Sequence, residues 1–191
     1  APHAGVPPAI AQMWEMEPAP EPSEPLPVDG IVQFVDETGI LRTYRRVASR
    51  YREPVAFEAQ ADGWERWRYL SLEESGVPHP MHVHSFVFQA EYRDHYDVTG
   101  WETLFFEDGS IGGGTRSPIR WVRRGELLEH ERGSKDVVRL GPGELISVLG
   151  RMGPASGRFL HHCHIYEHED HKMMRPFTVL PAEIMTMDPH Y

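Results

Sequence analysis

The residues best equipped for chemistry fall into two short runs. The first is His79-Pro80-Met81-His82-Val83-His84. The second is His161-His162-Cys163-His164, followed by His168 and Met173. Successive side chains alternate faces along an extended chain. His82 and His84 therefore share one face, as do His162 and His164, while Cys163 points the opposite way from its two histidine neighbours. His79 stands an odd number of residues from His82, and Pro80 favours extended backbone at His79, so His79 turns away from the 82/84 pair. The result, with His168 and Met173 added to the side of Cys163, is two ligand sets, back to back.

One set comprises His79, Cys163, His168 and Met173. Two imidazoles, a thiolate and a thioether are the donors of a blue-copper electron-transfer site. Zinc is the weaker reading, because its structural sites use Cys and His without needing Met. A metal would hold Cys163, the one cysteine of the chain, as its thiolate. The other set, His82, His84, His162 and His164, offers four imidazoles and no carboxylate, which suits copper engaged with dioxygen. Cys163 is covalently flanked by His162 and His164, so an electron reaching the thiolate has a short through-bond route to the second set. A single HxH pair is commonly structural. Two such pairs, together with His-Cys-His and the Cys-x4-His-x4-Met spacing, are very specific.

Such parity requires strands. Ile31–Val35, Val55–Ala59, Trp67–Leu72, Val83–Ala90, Val137–Leu140, Leu145–Leu149, Phe159–His164 and Phe177–Leu180 read as short strands. Asp36-Glu37-Thr38-Gly39, Ala61-Asp62-Gly63 and Gly141-Pro142-Gly143 read as turns. No dozen residues carry a convincing helical stripe. Many short strands with regular turns predict an all-β sandwich or barrel. Residues 94–134 look less regular and are expected to form a long excursion from it. Gly112-Gly113-Gly114 within them lacks the strand–turn–helix setting of a phosphate loop. Eight of 17 prolines lie in residues 1–28, so that stretch reads as an extended linker or strap, with Ile10, Met13, Trp14 and Met16 available for docking, or as a free tail. The domain proper is expected over residues 29–191.

The 191 residues carry a formal net charge of −10, which argues against nucleic acid and anionic membrane surfaces as partners. No run approaches a membrane span. A lone cysteine excludes an intramolecular disulfide framework, and the absence of asparagine excludes N-glycosylation. Ala-Pro-His-Ala at the start shows neither the basic nor the apolar part of an export leader, which is equally the expectation for an exported chain whose leader has been removed.

The motifs His-Pro-x-His-x-His and His-Cys-His-x3-His-x4-Met resemble the two C-terminal copper motifs of the multicopper oxidases. The longer string from Gly157 to Pro176 is similar to the branch containing bacterial spore-coat laccase, bilirubin oxidase and phenoxazinone synthase. The resemblance covers about residues 30–182, the family's last cupredoxin domain, a Greek-key β-sandwich. It implies type 1 copper ligands at His79, Cys163 and His168 with Met173 axial, a type 2 ligand at His82, and type 3 ligands at His84, His162 and His164. Glu169 matches a carboxylate that delivers protons to the oxygen-reducing centre. Asp136, in a Lys-Asp-Val-Val stretch similar to the family's Lys-Asp-Thr pattern, is expected either to steady a histidine ligand or to serve an ordinary turn.

The resemblance also implies a shortfall. The family's trinuclear centre uses eight histidines, and this chain offers four; His3, His95, His130, His161, His171 and His190 form no further HxH pair. Three arrangements follow. The chain is the C-terminal part of a laccase-like oxidase whose N-terminal cupredoxin domains lie on a second polypeptide, the favoured expectation. Two copies could instead pool their histidines. Or the chain is a single-domain blue-copper electron carrier without oxidase activity. For the oxidase, phenolic or aminophenolic donors would be oxidised one electron at a time and dioxygen reduced to water.

Overall fold

Alternation of apolar and polar residues resolves into strands in the computed structural model, which describes residues 11–74 and 76–185. In chain order they are β1 (Glu15–Pro18), β2 (Ile31–Val35), β3 (Leu41–Ala48), β4 (Glu58–Gln60), β5 (Trp64–Leu70), β6 (His79–Val83) and β7 (Phe86–Asp97). There follow β8 (Trp101–Phe105), β9 (Ile111–Thr115), β10 (Ile119–Gly125), β11 (Val137–Leu140), β12 (Glu144–Met152), β13 (Gly157–Cys163) and β14 (Met174–Leu180). Two short helices, α1 (Tyr166–His171) and α2 (Ala182–Met185), complete the described chain.

The strands form a sandwich. One sheet runs β1-β3-β2-β10-β7-β12-β5 and the other β11-β6-β13-β14-β4, with β8 and β9 as a separate hairpin. Trp67, Phe86, Phe88, Ile146 and Val148 from the larger sheet meet Met81, Val83, Val138, Phe177 and Val179 from the smaller one in a single apolar cluster that also contains Cys163. Each fully buried large apolar side chain contributes about 1.5–3 kcal/mol. A buried Arg93 pairs with both Glu131 and Glu144, tying β7 to a 3-10 turn at Glu129–Glu131 and to the start of β12.

Several expectations are corrected. Residues 94–134 are an excursion only in part: β8 and β9 form a hairpin apart from both sheets, but β7 extends to Asp97 and β10 lies inside the larger sheet between β2 and β7. The predicted strand Val83–Ala90 is broken at His84-Ser85, where Ser85 turns the chain with φ 58. The predicted strand Val55–Ala59 shrinks to Glu58–Gln60, because the carbonyls of Arg50, Glu53 and Pro54 accept from the Arg175 guanidinium and hold the preceding chain in a loop. In the Pro-rich segment, Glu15–Pro18 pair antiparallel with β3. Met13 is buried, and Trp14 packs edge-on against Trp101 with the Arg46 guanidinium over its ring. Ile10 lies outside the described residues.

Candidate metal centre

Strands β6 and β13 carry the site, and their register sets its two sides. They pair antiparallel with His162 opposite His82 and Cys163 opposite Met81. Met81 and His79 share a face, so both look with Cys163 into the apolar interior, while His82 and His162 look outward from the smaller sheet. His84 and His164 fall one residue beyond their strands. Backbone hydrogen bonds nonetheless extend the ladder to both, from His84 N–H to Leu160 O at 2.9 Å and from His164 N–H to Pro80 O at 2.8 Å.

On the inner side, Cys163 Sγ lies 3.6 Å from His79 Nδ1 and 3.8 Å from His168 Nδ1, and the two nitrogens are 3.2 Å apart. The point equidistant from three corners so spaced lies about 2.1 Å from each, the length of a metal–nitrogen bond. Cys163 is wholly buried and His79 nearly so, whereas His168, on α1, is half-buried. His79 Nε2 lies 3.3 Å from Glu73 Oε2; donation there leaves Nδ1 to face the thiol. Burial alone would lower the His79 pKa, but Cys163 and Glu73 outweigh it and raise it to about 9. Met173 is buried in the same cluster. Its N–H donates to His168 O at 2.9 Å and its carbonyl accepts from Cys163 N–H at 3.0 Å.

On the outer side, the ring centroids of His82, His84, His162 and His164 lie 4.9–5.4 Å from their neighbours. His82 Nδ1 donates to Asp136 O at 2.8 Å and His162 Nδ1 to Cys163 O at 3.1 Å. Both rings then offer Nε2 as the acceptor atom. His162 Nε2 and His84 Nε2 are 3.2 Å apart, too close for two lone pairs to face each other without a proton or a metal cation between them. Burial, then the charges of His82 and His162, push the His84 pKa down, which favours the neutral, ligating form. Glu169 Oε2 lies 3.5 Å from His162 Nδ1.

Six of the eight expected donors fall into two triplets of mutually close ligand atoms, His79, Cys163 and His168 on one side and His82, His162 and His164 on the other. His84 adjoins His162, Met173 is buried in the apolar cluster that contains Cys163, and Glu169 stands beside His162. The expected service of Asp136 falls to its main chain, since its carboxylate is 4.0 Å from His82 Nδ1. Glu73 was missed: it stands six residues before His79 in a stretch without periodicity. Glu15 and Arg175 were missed as well. Their charges meet at 2.8 Å across a separation of 160 residues, which no local pattern signals. His161 is buried and contacts the rings of Phe57, Trp67 and Phe177.

The multicopper oxidase family model matches residues 31–183. Among curated relatives, a laccase of Bacillus stratosphericus is 30% identical over 133 residues, covering 68% of this chain and 23% of that protein. A laccase of Bacillus subtilis is 29% identical over 144 residues, covering 74% and 24%. The chain thus spans about a quarter of the length of these relatives. A crystal structure of a multi-copper oxidase from Pediococcus acidilactici matches the fold with a TM-score of 0.50 at 20% identity, over 87% of this chain and 29% of that one. The sandwich is cupredoxin-like. Among the described residues no helix is long and apolar enough to cross a membrane.

Proposed function

The chain belongs to the multicopper oxidase family, and from that premise we propose that residues 29–191 are the last cupredoxin domain of a laccase-like oxidase, preceded by a connecting segment over residues 1–28. Family membership implies copper and an oxidoreductase that uses dioxygen. The observation that carries the reading is the arrangement about Cys163, with three inner donor atoms spaced for one metal and four outer imidazoles on the same two strands or on the residue just after them. His79, Cys163 and His168, with Met173 as a further weak donor, would hold type 1 copper. His82, as type 2 ligand, and His84, His162 and His164, as type 3 ligands, would supply half of a trinuclear centre. Copper bound at these sites supplies one-electron acceptance at the thiolate set and electron delivery to dioxygen at the other.

The chain's own residues have definite tasks. Cys163 offers its thiolate inward, while its peptide bonds carry His162 and His164 outward, so the two sets are joined covalently. Burial of His79 and Cys163 keeps water from the thiolate and leaves the half-buried His168 as the edge nearest to a reducing aromatic donor, phenolic or aminophenolic by family resemblance. Glu169, beside His162, holds and passes protons, of which dioxygen reduction to water consumes four. The missing half of the outer set is proposed to come from N-terminal cupredoxin domains on a second polypeptide. Oxygen uptake with an aromatic donor by the copper-loaded assembly, with near four coppers per assembly, is the expected result. One copper per chain, a blue colour and no oxygen uptake by the native assembly would establish the electron-carrier alternative.

A further inference from the structure

The buried ion pair of Glu15 and Arg175 is not among the proposed metal donors, yet Arg175 stands opposite His161 in the β13–β14 ladder, two residues along from Cys163. Arg175 is fully buried on β14, two residues after Met173, and Glu15 is 6% exposed on β1. Their 2.8 Å contact is joined by His161 Nε2, 3.3 Å from the other Glu15 oxygen. His161 precedes Cys163 by two residues and shares its inward face. A charge buried this deeply persists only with a partner. Glu15 supplies it from the Pro-rich segment.

That segment continues to the loop that bears two of the donors. Met13 N–H donates to Lys172 O at 3.3 Å, and Lys172 lies between His168 and Met173. The Met13 side chain is buried in the cluster that holds Met81, Cys163 and Met173. An open hollow of about 1590 Å³ has Met13, Glu15, His79, Met81, His161 and Met173 among its lining residues. Were the segment to lift, the hollow would widen beside His79 and Met173, two residues that also line it.

We infer that Glu15 is a positioning residue: paired with Arg175, it seats residues 11–18 against the His168–Met173 loop, shields Cys163 from water and fixes the donors around it. The inference uses the donor assignment proposed above, and its test is separable from that assignment. In metal-free full-length chain, the rate at which a small thiol reagent modifies Cys163 should rise about tenfold or more in Glu15→Gln and in Met13→Ala, because local opening no longer has to break the seat. Ile119→Ala, in the separate apolar cluster formed with Tyr96, Val98 and Leu145, is the comparison at equal loss of thermal midpoint. In copper-loaded protein, both strap variants should also shift the copper–thiolate absorption, and the Ile119 variant should not. Should Glu15→Gln fail to fold, Glu15→Asp, which keeps the charge but shortens the reach to Arg175, decides the role of the pair by the same reagent rate, and Met13→Ala decides whether the segment shields Cys163. Strap variants whose Cys163 reacts no faster than in the Ile119 variant would overturn the inference. A wild-type chain that takes up no copper would instead overturn the donor assignment, with the reagent rates still deciding the role of Glu15.

Discussion

Cys163 is the residue on which the two proposed copper chemistries would meet, and its neighbours make it testable. Its thiolate is the one sulfur anion available to the inner set, so Cys163→Ser should abolish the blue colour of the copper-loaded chain. A variant that stays intensely blue would refute the type 1 assignment. Met173 is a weak axial donor in such sites, so Met173→Leu should keep the colour and raise the reduction potential, read by redox titration. Loss of all copper on that change would contradict the axial role. Glu169 has no metal to hold but lies 3.5 Å from a ring of the outer set. Positioned proton transfer contributes about 10²–10⁴ in rate. Glu169→Gln should therefore slow oxygen uptake within about that range at unchanged copper content; full turnover in the variant would remove Glu169 from the proton path.

Strands translate residue parity into geometry, which is why so much of the centre could be read in advance. The alternation of His82 and of His162-Cys163-His164 survived even though His84 and His164 lie just past the strand ends, because main-chain hydrogen bonds continue the ladder. Other elements gave weaker signals. Strand β3 reads Leu-Arg-Thr-Tyr-Arg-Arg-Val-Ala and β10 reads Ile-Arg-Trp-Val-Arg-Arg-Gly, arginine-rich runs whose apolar face is thin. Gly112-Gly113-Gly114 looks like a loop but lies in β9, where Gly113 O accepts from Gly30 N–H at 2.7 Å and its N–H donates to Asp29 at 2.9 Å. Glycine belongs in a strand where another backbone comes this close. The Glu15–Arg175 pair is legible only in three dimensions, and it sets a prediction for β1. Burial would raise the Glu15 pKa from 4.5, but hydrogen bonds from His161 and Arg175, with the Arg175 charge, bring it below that value. The unfolded chain then binds more protons as pH falls, so this stabilisation is complete above pH 4.5 and is lost progressively below it. Glu15→Gln should lower stability by about 3 kcal/mol, the low end for breaking a buried pair, since Arg175 keeps three carbonyl partners. The variant's thermal midpoint should fall less steeply below pH 4.5 than the wild type's, and parallel curves would contradict the linkage.

At the scale of the whole molecule, the asymmetry of the two sets is what counts. The inner one is closed: its thiolate is wholly buried, and its three donor atoms are spaced for a single ion. The outer one is open, with His84 and His164 exposed and four imidazoles where the family's centre needs eight. Charged and polar groups accept burial only when paired or ligated, so an exposed half-centre is consistent with completion from outside. The same asymmetry predicts different behaviour for the chain alone and in its native assembly. Expressed alone and loaded with copper, the chain should bind one ion firmly, turn blue and consume no dioxygen when given an aromatic donor. Isolated from its source, it should show an intact native mass larger than that of one 21.9 kDa chain, with near four coppers per complete assembly and with oxygen uptake. Because four coppers need the second group of histidines, copper count and mass should change together when the assembly is dissociated. A native mass of exactly two copies would assign the missing histidines to a second copy of this chain and remove the separate polypeptide. Oxygen uptake by the lone monomer would contradict the half-centre itself, since four imidazoles would then suffice where the geometry leaves the outer set open.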